Sequence, residues 1–240
     1  MHTSAKTSVR LKVVGRELTD AFAGPSFRPR RLGPEEELLD WFLSELPIKI
    51  SAGCDVVAFR EPRLASGFPD LVIVIWDGRR AERWRQERAT LAPVDLQLAH
   101  YLYLIGPSTQ QRLRRVFGRP MGGSIERLNA AGILRARGAK WLLRPLPTIF
   151  AAREIIAVEA KMSEWRGALM QAALNTWFAS SSYVLVPDVP RRSSLLERAK
   201  KLGIGVWTKD FKAAQPTKTD QLPRSYASWL FNEWAWRAAK

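Results

Sequence analysis

Chemistry in this chain is first suggested by two charged residues set into an apolar stretch. Residues 155–162 read IIAVEAKM. Val158, Ala160 and Met162 alternate with Glu159 and Lys161, so a strand here projects the carboxylate and the ammonium on one face. Charges on a buried strand cost free energy unless they are paired or bound to an ion, so a same-face Glu-x-Lys marks a candidate site. An amphipathic edge strand with a surface salt bridge is the other reading. A second acid, Asp70, follows Pro69 at the start of residues 68–76, FPDLVIVIW. Pro-Asp is a common turn pair, and an Asp at the mouth of a buried strand is equally a metal ligand on a rigid element. A third acid, Glu35, lies three and four residues before Leu38 and Leu39 and shares their inward helical face, whereas Glu36 and Glu37 point further round. All three acids also complement the dipole of a helix start. Gln171 and Asn175, spaced i, i+4, share one face of a later helix; ordinary helix-surface amides are the alternative.

These side chains need elements to hold them. Gly33-Pro34 opens a helix whose apolar stripe is Leu38, Leu39, Phe42 and Leu46. Residues 55–61 (DVVAFRE) and 68–76 form two strands separated by a turn. The Glu-x-Lys strand leads into a helix over 164–178. A strand at 183–187, a helix near 194–202 and a strand at 205–208 follow, which together predict a mixed α/β sheet. The N-terminal 31 residues read as a basic arm with one short strand at 9–14, and Arg28-Pro29-Arg30-Arg31 as an exposed segment facing a polyanion. The last thirty residues, with Trp229, Trp234 and Trp236, read as a loop and an aromatic amphipathic helix. Most of those rings are expected on the core; a stacking or partner surface, for a homodimer or a second subunit, is the lesser alternative.

Between residues 78 and 147 stand 14 Lys+Arg against 4 Asp+Glu, a net +10 out of +15 for the whole chain. The segment has its own pattern: a helix over 91–105, a second capped by Ser108-Thr109 and running to about 116, and a third over 123–131. Two short strands then flank Gly138 in ILRARGAKWLLR. Three helices and a basic hairpin resemble a winged helix-turn-helix, which implies that Ser124, Arg127 and Asn129 lie near DNA and that Arg135, Arg137 and Lys140 touch its backbone. A helical insertion with a merely solvated Arg face is the alternative, and winged helices also bind proteins. The predicted organisation is thus an arm (1–31), a discontinuous core (32–77 and 151–210), an insert (78–150) and a Trp-rich terminal segment (211–240).

Composition narrows the chemistry. A surface with 38 Lys+Arg and 23 Asp+Glu favours a polyanion, with nucleic acid the expected partner. The longest apolar runs are far too short to span a bilayer, and no signal peptide pattern is read at the N-terminus. The single Cys54 excludes an internal disulfide and a multi-Cys zinc site and fits a reducing, cytoplasmic location, at the nucleoid in a bacterium. Only His2 and His100 are present. Hydrolytic chemistry here falls to carboxylates, lysine and a hard metal.

Pro69-Asp70 on one strand and Glu159-Ala160-Lys161 on the next resemble the PD-(D/E)xK nuclease superfamily, with Glu35 matching the acid of its first core helix and Gln171 the extra Gln of the following helix. The resemblance covers roughly residues 33–208. It departs from the family in the 88 residues between Asp70 and Glu159, where a short hairpin is usual; the winged segment accounts for the gap as an insertion. It implies an α/β fold with a restriction-endonuclease-like mixed central sheet flanked by helices, and a DNA endonuclease. Mg²⁺, with Mn²⁺ able to substitute, would be held by Asp70, Glu159, the Ala160 carbonyl and Glu35, beside the catalytic Lys161 and Gln171. Lys161 would either deprotonate the water or stabilise the transition state. The competing classes are a non-catalytic DNA-binding regulator and a DNA-binding subunit of a larger defence or transposition assembly.

Overall fold

The computed structural model describes residues 10–15, 26–29, 32–189, 194–210, 213–219 and 221–240. Leu11–Val14 forms the first strand, β1, and Pro34–Glu45 the first helix, α1. Proline in the first turn and three acids after it favour that helix start, and Leu38, Leu39, Phe42 and Leu43 are buried along one stripe. Asp55–Arg60 (β2) and Leu71–Trp76 (β3) follow. β3 is buried at every position, as a continuous Val/Ile run between two covered faces must be. It begins three residues later than the sequence suggests, since Phe68 and Pro69 belong to the turn.

Next come a short helix, Gly78–Ala81 (α2), a 3₁₀ turn at Gln86–Thr90, and the helix Pro93–Ile105 (α3). The two-residue strand Ser108–Thr109 (β4) leads directly into Gln110–Phe117 (α4), with Thr109 capping it from its side chain. Gly122–Ala130 (α5), the hairpin Leu134–Arg137 (β5) and Lys140–Leu143 (β6), and the turn Leu146–Ile149 (α6) complete this stretch. β4, β6 and β5 form a separate three-stranded antiparallel sheet.

The chain then returns as Ala152–Ala160 (β7), Trp165–Asn175 (α7), Ser181–Leu185 (β8), Leu195–Leu202 (α8), Gly205–Trp207 (β9) and Tyr226–Ala239 (α9). The main sheet is mixed, in the order β1-β2-β3-β7-β8-β9. β3 runs antiparallel to both neighbours, β2 and β7, while β1 is parallel to β2 and β7, β8 and β9 are mutually parallel. The protein is therefore α/β, with a six-stranded mixed sheet flanked by helices. Among the described residues no helix is long and apolar enough to cross a membrane.

One sheet face packs on α1 through Val56, Ala58, Ile73, Ile156 and Val158. The other packs partly on α7 and α8 and partly on α9, and the α9 side is continuous with the helices of the 78–150 stretch. One expectation changes here and another is met. The basic arm contributes β1 to the sheet edge, and Arg28 is tied to the core by an ion pair with Glu61 and by lying over the Phe68 ring, 4.5 Å from its centroid. Val9, Arg30 and Arg31 lie outside the described residues. The terminal helix sets its rings on the core, as its sequence leads one to expect: Trp229, Trp234 and Trp236 are all buried, as are Asn232 and Glu233.

Candidate functional site

The register of β3 and β7 brings the acids together. Leu71 pairs with Val158, so continuing the antiparallel ladder sets Asp70 opposite Glu159. Both side chains then lie on the sheet face away from α1, since Val72 and Ala157 share that parity, and Glu159 meets α7 there through Asn175. Asp70 Oδ2 accepts from the Ala160 amide at 2.8 Å. Glu159 is only 2 % exposed; its Oε1 accepts from Asn175 Nδ2 at 2.6 Å, its Oε2 is buried and receives no N–H or hydroxyl donor among the described residues, and the carboxyl shares a hydrogen bond with Asp70. Burial, then the neighbouring Asp70 charge, pushes the Glu159 pKa up to about 9, and burial also raises Asp70. Two carboxyls this close and this dry do not readily both ionise without a cation between them.

Lys161 sits one residue beyond the end of β7, its amide bonded to Leu185 and its Nζ to Glu35 Oε2 at 2.8 Å. Desolvation opposes its charge, but Glu35, Asp70 and Glu159 outweigh it and hold its pKa above the ordinary lysine value. The ammonium therefore stays charged. Glu35 comes from the first turn of α1 and is engaged by Lys161, so it steadies the lysine and does not join the two carboxylates as the sequence suggested. Glu36 does not point away. It is buried and paired with Arg60, which also reaches Asp40. Gln171 is exposed, and Asn175, one turn further along α7, is the amide that holds Glu159. The i, i+4 spacing identified the shared face, and the depth of β7 under α7 selected the deeper member. Of Ala160, it is the N–H that meets the acids.

A hard divalent cation suits this donor set. Two carboxyls converge on one shared proton, and a cation there would take the place of that proton and leave both oxygens as ligands. Among the described residues no three His, Cys, Asp or Glu side chains converge as a complete ligand set, so Asp70 and Glu159 are the fitting pair and solvent or substrate oxygens would complete the shell. A cavity of about 350 Å³ opens at the opposite end of the sheet, lined by Ser51, Gly53, Cys54, Asp77, Arg79 and Arg153. Its thiol is no ready nucleophile, because burial and the Asp77 charge raise the Cys54 pKa.

In the 78–150 stretch the expected DNA-facing residues divide. Ser124 is buried, and Arg127 gives Nε and Nη2 to Asp95 at 2.8 and 2.7 Å. Asp95 is fully buried; desolvation would raise its pKa, but the Arg127 bonds and the Ala92 amide hold it below the usual carboxylate range. Ser124 and Arg127 are thus framework residues of α5, whereas Asn129, Arg135, Arg137 and Lys140 are exposed. No protein-family model, curated protein or solved structure matches this chain.

Proposed function

We propose that the chain is a Mg²⁺-dependent DNA endonuclease with a restriction-endonuclease-like core and an inserted winged helix that binds duplex DNA. The observation that carries this reading is the buried Asp70–Glu159 pair, with the charged Lys161 immediately after it on the same strand end. Its support from the insert is the order of helix, short strand, two helices and hairpin between β3 and β7, together with a net +10 over residues 78–147.

Asp70 and Glu159 would hold a divalent cation, which would supply the acidity that makes a hydroxide available near neutral pH and the positive charge that offsets what a phosphodiester develops in hydrolysis. Asn175 fixes one Glu159 oxygen and leaves the other facing Asp70. Lys161, cationic beside the two acids, would offer its ammonium to the scissile phosphate and stabilise the charge that develops there. Glu35 positions that ammonium.

The test is cleavage of supercoiled plasmid and linear duplex at low salt with Mg²⁺, Mn²⁺ or EDTA. Wild type should nick or linearise only with metal. Glu159→Ala should be inactive, and Lys161→Ala should lose about 10²- to 10³-fold in rate while still binding DNA. Cleavage that survives EDTA or the Glu159→Ala change sinks the reading. If wild type binds DNA and cuts under no metal, the non-catalytic regulator takes its place.

A further inference from the structure

The hairpin Arg135, Arg137 and Lys140 is one part of a larger cationic surface. α4 carries Arg112, Arg114 and Arg115, all exposed, around the buried Leu113. Among the described residues none of these six cations has an ion pair or side-chain hydrogen bond, although Arg60, Arg88, Arg127 and Arg153 elsewhere are each committed to a carboxylate. The two groups are adjacent: Thr109, the cap of α4, pairs in register with Lys140 of β6. Unpaired cations set side by side repel one another in the free protein, and a polyanion removes that cost while releasing its own counterions.

α5, the helix that would occupy the reading position, is poorly equipped to read bases. It exposes Gly123, Glu126, Asn129 and Ala130, and its single arginine is bound to Asp95. Base-edge discrimination relies on Arg, Lys, Asn or Gln reaching the groove, and only Asn129 qualifies. We propose that the protein holds duplex DNA by its phosphates, through Arg112, Arg114 and Arg115 together with Arg135, Arg137 and Lys140, and without reading sequence through α5. This rests on the DNA-acting part of the proposed function and adds the mode of binding.

Fluorescence anisotropy of the full chain in EDTA, with two unrelated duplexes of about 25 base pairs over a range of KCl, tests it without cleavage. Wild type should bind both within about threefold, with a steep dependence of log Kd on log salt. The Arg112→Ala/Arg115→Ala double variant should bind at least about tenfold more weakly, with a salt slope smaller by about two. Arg112→Lys/Arg115→Lys should bind nearly as wild type, and Asn129→Ala should be neutral. Wild-type affinity in the double Ala variant, strong preference for one duplex that disappears in Asn129→Ala, tighter binding of duplex RNA, or no binding at all would each overturn the proposal. Plasmid cleavage with Mg²⁺ is scored separately, so a protein that binds in this way and never cuts refutes the nuclease and leaves the binding mode standing.

Discussion

A carboxyl that is 2 % exposed and faces a second acid across a β ladder makes Glu159 costly to ionise. Its pKa of about 9 in the fold lies far above the ordinary 4.5. Below pH 4.5 the group is protonated folded or unfolded and contributes nothing to pH dependence. Above that, the folded state keeps a proton that the unfolded chain releases, so stability declines as pH rises towards 9. Calorimetry in EDTA should show the melting midpoint falling over this range and Glu159→Gln flattening the decline; identical profiles for the two proteins would refute the assignment. Mg²⁺ should raise the wild-type midpoint more at pH 8 than at pH 6, because at pH 6 it competes with the retained proton. At this scale the sequence was informative about type and order. Asp70, Glu159 and Lys161 were identifiable because a charged residue in an apolar run is locally conspicuous. Glu36 was misplaced because its position three residues before Leu39 and seven before Leu43 serves the inward stripe as well as that of Glu35 does. The choice between them was made by Arg60 on another strand, which no local count includes.

At the level of elements, periodicity located nearly every helix and strand, and what it missed was set by partners distant in sequence. Ser108 and Thr109 read as a cap and are also a strand, because β6 returns some thirty residues later to pair with them. β7 extends back to Ala152, before the apolar run begins, because Ile75 and Trp76 of β3 pair with Glu154 and Ala152, and Asn232 of α9 accepts from the Ala151 and Ala152 amides at 2.8 and 3.1 Å. The winged pattern places Arg127 near DNA, and the structure gives its guanidinium to the Asp95 carboxylate, 32 residues away in sequence. That pair fastens α5 to the first turn of α3, where Asp95 also accepts from the Ala92 amide. Removing its cation strands a buried carboxylate, so Arg127→Ala should cost about 3 kcal/mol in urea unfolding, with Arg127→Lys recovering part of it. A near-neutral Arg127→Ala would return Arg127 to the list of free, DNA-facing cations.

Across the whole molecule, α9 joins what the sequence divided into core and insert. Phe231 and Trp234 pack on Phe59 of β2. From the same helix Glu233 reaches Arg88, which is also fully buried, bonds the Ile149 carbonyl and lies over Trp84 at 3.5 Å. α3, α5 and α9 therefore share one continuous apolar core with the sheet. A helix buried around its whole circumference is wasteful as a docking arm and effective as a central pillar, because every face it presents removes apolar surface from water. The composition of the last thirty residues showed the aromatic content but not the number of surfaces that would converge on it. If the pillar couples both parts, heating should unfold them together in a single transition with equal calorimetric and van't Hoff enthalpies. Glu233→Ala, which leaves the Arg88 guanidinium buried and unpaired, should lower stability by about 3–5 kcal/mol while keeping that transition single. Two resolved transitions in wild type, or a Glu233→Ala protein in which only one of two transitions moves, would show that the insert folds on its own and that α9 belongs to the sheet alone.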